Sequence, residues 1–292
     1  MVMKILIIGQ SVVDKINTKN NVKIQAGGIY YSVFGFNYIK ASEDEFYLIS
    51  SVSRNSYKYF ADEYDKVNKK YLTWSNLIPT VTLNIFNDRE RDEKYDSINS
   101  ALFVKYNVLN EFDGILINMI TGFDISLGQL KRIRSEFKGT IYLDVHSMAR
   151  RIGKDMKREF RVIPNFSEWA KNVDIIQVNE IEFSCLLDEK NDIKTAELLL
   201  NRGVKYLIKT MGDKGAKIYF KSGNEIASMF HSAKKVNVGA TVGCGDIFGS
   251  VFFYNYIKGN SINNILLKAN RASAFAASCN DVENMKQIGD EL

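Results

Sequence analysis

Short apolar runs of strand length alternate along this chain with segments whose apolar residues recur at helical spacing, and that alternation restricts the fold more than any other feature. Residues 3–8 (MKILII) form one such run, which stops at Gly9, and Tyr30, Val33, Phe34, Phe36 and Tyr38 then recur at helical spacing. Further strands are predicted over residues 46–49, 114–118, 140–144, 174–178 and 205–210. Helices are predicted over 29–39, 57–67, 127–137, 180–187, 195–201, 246–256 and 262–278, and a hairpin over 216–220 and 225–230. Strands separated by helices build βαβ units, so the expected class is α/β, with a mostly parallel central sheet covered on both faces. The ligand crevice of such a sheet lies at the carboxyl ends of its strands. One stretch departs from the pattern: residues 80–87 (TVTLNIFN) alternate with period two and run into a charged segment over 88–96. With residues 12–24 it predicts strands outside the main sheet, a small β-lid drawn from about 12–24 and 80–100.

The chain has 292 residues, enough for two domains, yet Pro79 and Pro164 are its only prolines and no linker-like segment divides it. One domain over residues 1–292 is expected. The 39 Lys and Arg exceed the 34 Asp and Glu by only 5, too few for a surface that lives on phosphate contacts, so no nucleic-acid partner is expected. Cys185, Cys244 and Cys279 are odd in number and far apart, which argues against a disulfide framework or zinc knuckle, and two histidines, His146 and His231, exclude a histidine-rich metal site. A reducing, cytoplasmic setting is expected. The apolar run over residues 5–8 is too short for a signal sequence or membrane span, so no membrane partner is expected either.

The most informative segment is 240–251, ATVGCGDIFGSV, followed by an apolar run. Gly243, Cys244 and Gly245 stand just ahead of a helix, where their backbone N–H groups converge with the helix dipole behind them and form an anion hole. Asp246 then lies in the first helical turn, placed to act as a general base for a hydroxyl attacking a phosphoryl group. The plainer alternative is a glycine-rich turn whose Asp favours a helix N-terminus. Asn179 and Glu182 close the strand over 174–178 and permit two readings, a site for phosphates and a hydrated Mg²⁺ or a helix capping box. Thr210, Gly212 and Gly215 lie in a turn between a strand and the hairpin, where a nucleotide or merely a tight turn fits. Near the N-terminus Asp14 follows the first strand, and Gly27 and Gly28 open the first helix; a carboxylate beside approachable backbone suits polyol hydroxyls.

Taken in order, these pieces resemble the PfkB carbohydrate kinase family, whose ribokinase-like fold is a three-layer α/β/α domain with a mostly parallel sheet and a β-lid. The resemblance spans nearly the whole chain, and the G-x-G-D helix start (Gly243, Gly245, Asp246) is its specific signal. It implies an ATP-dependent kinase that moves the γ-phosphoryl group to a hydroxyl of a sugar or small polyol. Asp246 would be the catalytic base and Gly243, Cys244 and Gly245 the anion hole. Asn179, Thr210, Gly212 and Gly215 would hold the nucleotide, and Glu182, through water, would serve Mg²⁺; apart from the resemblance, Asp144 is a candidate for the metal or phosphate network because it ends a strand at the active edge of the sheet. Asp14, Gly27 and Gly28 would hold the sugar beneath the lid.

The chain also departs from the family. Ala240 stands where a carboxylate helps other members hold potassium, Tyr31 or Ser32 stands where a sugar-binding Asn is common, and Ser53-Arg54-Asn55 replaces a Gly-Asp. These changes bear on the substrate more than on the chemistry. A nucleoside kinase of the same fold, with Tyr30, Tyr31 or Phe36 stacking on a base, is the nearest alternative, and a non-catalytic sugar or nucleotide sensor is the next. His146 is expected to be a polar strand-end residue, Arg150 and Arg151 a solvated basic pair, and Cys244 to fill the place of a small Ala, with a lowered thiol pKa at the helix N-terminus as the secondary expectation. Exposed lid edges predict a homodimer.

Overall fold

The computed structural model describes residues 2–18, 21–84, 92–239 and 241–292; the end of the strand expected over 80–87, the first part of the charged segment after it, and the Ala240 substitution fall outside them. In chain order the first half comprises β1 (Lys4–Ile8), β2 (Ser11–Thr18), β3 (Asn21–Gly28), α1 (Tyr30–Ile39), β4 (Glu45–Ser53), α2 (Ala61–Tyr64), β5 (Leu72–Ser75), β6 (Thr80–Asn84), β7 (Asp92–Tyr95), β8 (Gly114–Asn118) and α3 (Leu127–Glu136). The second half comprises β9 (Thr140–Asp144), β10 (Arg150–Ile152), β11 (Arg158–Phe160), α4 (Phe166–Ala170), β12 (Ile175–Asn179), α5 (Glu180–Ser184), α6 (Asp192–Leu200), β13 (Tyr206–Thr210), β14 (Gly215–Ser222), β15 (Glu225–Ser232), α7 (Cys244–Ile257), α8 (Ile262–Ser278) and α9 (Val282–Met285).

Nine strands form the central sheet in the order β15-β14-β13-β12-β9-β8-β1-β4-β5. From β13 to β5 the neighbours run parallel, whereas β14 pairs antiparallel with both β13 and β15. Alternate residues of each strand face opposite sides. Ile5 and Ile7 join one apolar core, with α1, α7 and α8; Leu6 and Ile8 join the other, with α3, α4 and α6. This is the expected α/β architecture with helices on both faces. Helix α7 carries apolar residues all round and is buried from Asp246 to Asn255, because α1 and α8 flank it above the sheet. Among the described residues no helix is long and apolar enough to cross a membrane.

The lid is a second sheet, ordered β3-β2-β6-β7, with β2 and β6 parallel and the outer pairs antiparallel. Its period-two pattern turns Val81 and Leu83 inward, where they are buried. The tandem glycines Gly27 and Gly28 do not open α1, as the sequence predicts; they end lid strand β3, paired with Val12 and Ser11, and α1 begins at Tyr30. The helix expected over 57–67 shortens to a 3₁₀ turn, Tyr57–Tyr59, and the single turn α2, and the one expected over 180–187 shortens to α5.

The β10–β11 hairpin, absent from the sequence prediction, ties the lid to the main sheet. Lys94 of β7 bridges Lys157 beside β11, and the guanidinium of Arg150 lies 3.2 Å from the Glu93 carboxylate, both side chains buried. Arg150 also stacks on Phe160, with its guanidinium carbon 4.2 Å from the ring centre. Arg150 is thus not half of a solvated pair; Arg151 is exposed and meets Glu159 at 2.8 Å. Removing one partner of a buried ion pair leaves the other charge desolvated, so Glu93→Ala is expected to lower stability by roughly 3–5 kcal/mol. The double variant Glu93→Leu/Arg150→Met is expected to recover most of that loss, as denaturant unfolding would register.

Candidate active site

The carboxyl ends of the parallel strands bring five polar residues into line. Asn118 ending β8 is the register partner of Asp144 ending β9, Asp144 is that of Gln177 in β12, and Asn179 ending β12 is that of Thr210 ending β13. The N-terminus of α7 sits over this edge. Gly243 caps it at φ +85, a left-handed conformation that turns the chain into the helix, and a Cβ there would lie 2.3 Å from the Tyr31 ring. Cys244, Gly245 and Asp246 fill the first turn, where helix N–H groups lack intrahelical acceptors. The Nε2 of Gln177 donates to the Gly245 carbonyl at 2.9 Å and, at a longer 3.3 Å, to Asp144 Oδ2, which fastens the helix start to the sheet.

Asp246 is buried and accepts a hydrogen bond from Asn118 Nδ2 at 2.6 Å. Ser250, one turn on, donates to the carbonyls of both Asp246 and Ser32, locking α7 against α1. Asp144 is held well above the ordinary carboxylate range, first by burial and then by the negative charges of Asp246 and Glu182. The Tyr31 hydroxyl is pushed up as well, by burial and then by Asp14, Tyr30 and Asp246, and it accepts from Gln25 Nε2 at 2.6 Å.

A cavity opens between this helix start and the lid. Asp246, Gly243 and Tyr31 line its floor, Asp14 and Gly28 its N-terminal wall, and Val81, Leu83, Glu93 and Tyr95 its lid side. The two halves of the sequence-predicted site therefore meet, although Asp14 and Gly28 belong to lid strands. Gly27 faces Asp14, and a Cβ at Gly27 would fall 2.1 Å from its carboxyl carbon, so the missing side chain is what lets the carboxylate lie along β3. His146, read from sequence as a strand-end residue, also lines the cavity, with its backbone at φ +39.

Asn179 and Glu182 form the capping box of α5. The Asn179 side chain accepts from the N–H groups of Ile181 and Glu182, and Glu182 accepts from the Asn179 N–H. The Thr210 hydroxyl donates to the Val178 carbonyl at 3.3 Å, and Gly212 and Gly215 flank the 3₁₀ turn between β13 and β14.

One expectation is reversed at Cys244. Burial, followed by the charge of Asp246, pushes its thiol up to about 12, outweighing the helix N-terminus. The thiolate population at pH 8 is then about one part in 10⁴, and alkylation by iodoacetamide is expected to be far slower than for an exposed cysteine peptide. Mass-spectrometric labelling rates check this.

Sequence reasoning passed over Asn118, Gln177 and Glu93. Asn118 left a faint signal, since it ends a buried strand with a polar residue in the same way as Asp144. Glu93 left none, lying in a segment that reads as a solvated charge run.

Residues 133–288 match the family described as pfkB family carbohydrate kinase, which covers Asp144, Asn179, Glu182, Thr210 and the α7 start but not Asp14, Gly27 or Gly28. Over 122 residues the chain is 29% identical to an Arabidopsis thaliana protein named probable fructokinase-3; the match takes in 41% of this chain and only 34% of that protein. The structure of Arabidopsis thaliana ribokinase complexed with ribose and ATP superposes with a TM-score of 0.77 at 15% identity, covering 100% of this chain and 99% of that one. A Methanocaldococcus jannaschii nucleoside kinase, an archaeal member of the ribokinase family, superposes at 0.71 with 18% identity, covering 99% and 98%. The fold is that of the ribokinase family.

Proposed function

Because this chain belongs to the pfkB family of carbohydrate kinases, we propose that it transfers the γ-phosphoryl group of ATP to a hydroxyl of a sugar or related small polyol. The observation that carries this reading is the meeting of Asp246, in the first turn of α7, with Asp14 and the lid around one cavity. An acceptor lying there has a carboxylate in reach of its hydroxyl and the helix start beside it. Asp246 takes the hydroxyl proton as the oxygen forms its bond to the γ-phosphorus, and the bond to the β-phosphate oxygen breaks to release ADP. The N–H groups of Gly243, Cys244 and Gly245 receive the charge on the transferring group. Asp14, with the backbone at Gly27 and Gly28, orients the acceptor, and the lid strands exclude water.

Asn179, Thr210, Gly212 and Gly215 hold the nucleotide in this reading. Glu182 and Asp144 offer buried carboxylate oxygens that repel one another, a donor set suited to a hard, hydrated Mg²⁺ carried in with the phosphates. The ion would neutralise phosphate charge as the bond to the leaving group lengthens. Residues 1–292 act as one catalytic unit, working in the cytoplasm. Of the lid's two edges, β7 is covered by the β10–β11 hairpin, whereas β3 carries exposed Val22 and Ile24, and homodimer pairing is assigned to that edge.

A nucleoside acceptor is the second reading, favoured by the Tyr31 and Tyr95 rings that line the cavity. ADP release measured with ribose, fructose, adenosine and inosine separates the two, since a sugar kinase turns over with the first pair and a nucleoside kinase with the second. Melting shifts with these compounds, without turnover on any of them, would identify a sensor instead.

A further inference from the structure

Resting on Asp246 as the base, we infer that Asn118 is a positioning residue for the reaction, fixing the Asp246 carboxylate and keeping it ionised. Asn118 is buried at the end of β8, and its Nδ2 reaches Asp246 Oδ1 at 2.6 Å and the Ser32 hydroxyl at 3.3 Å. The amide orientation follows from chemistry, because an ionised carboxylate only accepts and a flipped amide would set oxygen against oxygen. The Asn118 Oδ1 is left buried with no hydrogen-bond partner among the described residues. A buried acceptor without a partner costs stability. A residue chosen for packing alone would not carry that cost, whereas one chosen to donate to Asp246 must.

The surroundings make such a donor necessary. The ionisable groups around Asp246 are Asp144 from β9, Tyr31 from α1 and Cys244 from its own helix, each held toward its neutral form in part by the charge of Asp246. Asp14 from β2, Glu93 from the lid and His146 after β9 line the same cavity, and Glu182 from α5 faces Asp144. Burial and like charge both disfavour an ionised carboxylate in such company. Asp144 receives only the long contact from Gln177 among its described side-chain donors, whereas Asp246 receives a short one from Asn118. A hydrogen bond donated to the charged form favours it. The short contact from Asn118 thereby fixes Asp246 as the accepting, basic carboxylate at the cavity.

The test compares Asn118→Ala and Asn118→Ser with the wild-type chain, using ATP and whichever of ribose, fructose, adenosine or inosine turns over fastest. For Asn118→Ala, kcat is expected to fall about 10- to 100-fold, with KM for ATP unchanged and the acid limb of the kcat profile moved to higher pH. The Ser variant keeps a donor and is expected to recover part of the rate and of the limb. If the Ala variant melts early, the Ser variant carries the same pH comparison, and a wild-type limb there would overturn the inference. An unmoved limb in the Ala variant, or Ser faring no better than Ala, would overturn it too. Wild-type behaviour in Asn118→Ala beside a dead Asp246→Asn defeats the role of Asn118 alone, whereas turnover in Asp246→Asn defeats the base on which it rests.

Discussion

Asp246→Asn is expected to lower kcat by about 10²–10⁴-fold, the range that a positioned general base contributes, while nucleotide affinity stays nearly unchanged. The substitution preserves shape and leaves the α7 N–H groups where they are, so phosphate binding loses little. What disappears is the only described carboxylate in the first turn of that helix that also lines the cavity. The amide oxygen can still accept from Asn118 Nδ2, but it is no base for the acceptor's proton. Stopped-flow ADP release and nucleotide titration on one preparation separate the two effects. An equal loss in affinity and turnover would point to a phosphate-binding role for Asp246.

Gly243→Ala acts on the same helix through the backbone. At φ +85 an added Cβ is strained by itself, about 1–2 kcal/mol, and it would also sit 2.3 Å from the Tyr31 ring, which is buried and held by Gln25. Overpacking of this kind adds about 1–3 kcal/mol, for a total of roughly 2–5 kcal/mol. Because the helix start must shift to relieve the contact, the N–H groups at Cys244 and Gly245 move with it. A displacement near 1 Å costs about 100-fold in rate. Pairing the change with Tyr31→Leu removes the ring but leaves the φ strain, so stability is expected to return in part. Full recovery in the double variant would mean that the left-handed turn carries no cost of its own.

These effects concentrate where the sequence was most legible. Three small residues and an Asp ahead of a long apolar run mark the α7 start whatever its surroundings, because helix caps are chosen locally. The strands over 114–118 and 140–144 were equally plain, since burial on both faces demands unbroken apolar runs. Gly27 and Gly28 marked a break without saying which element they end, and they end a lid strand. Asn179 and Glu182 carried two readings, and both side chains take part in the capping box. The contacts that complete the site were hidden for one reason, namely distance along the chain. Asn118 and Asp246 are 128 residues apart, and Arg150 needs Glu93 from a strand in another sheet. Neither residue differs in sequence from any solvated polar side chain until the fold brings its partner.

The most direct measurement is ³¹P NMR of the 292-residue chain with ATP, Mg²⁺ and each of ribose, fructose, adenosine and inosine. Transfer through Asp246 predicts a new phosphomonoester resonance that grows with one acceptor as the γ-phosphate signal falls and ADP appears, and that is absent from the same mixture with Asp246→Asn. Free phosphate alone, or an equal phosphomonoester signal from the Asn variant, would contradict it.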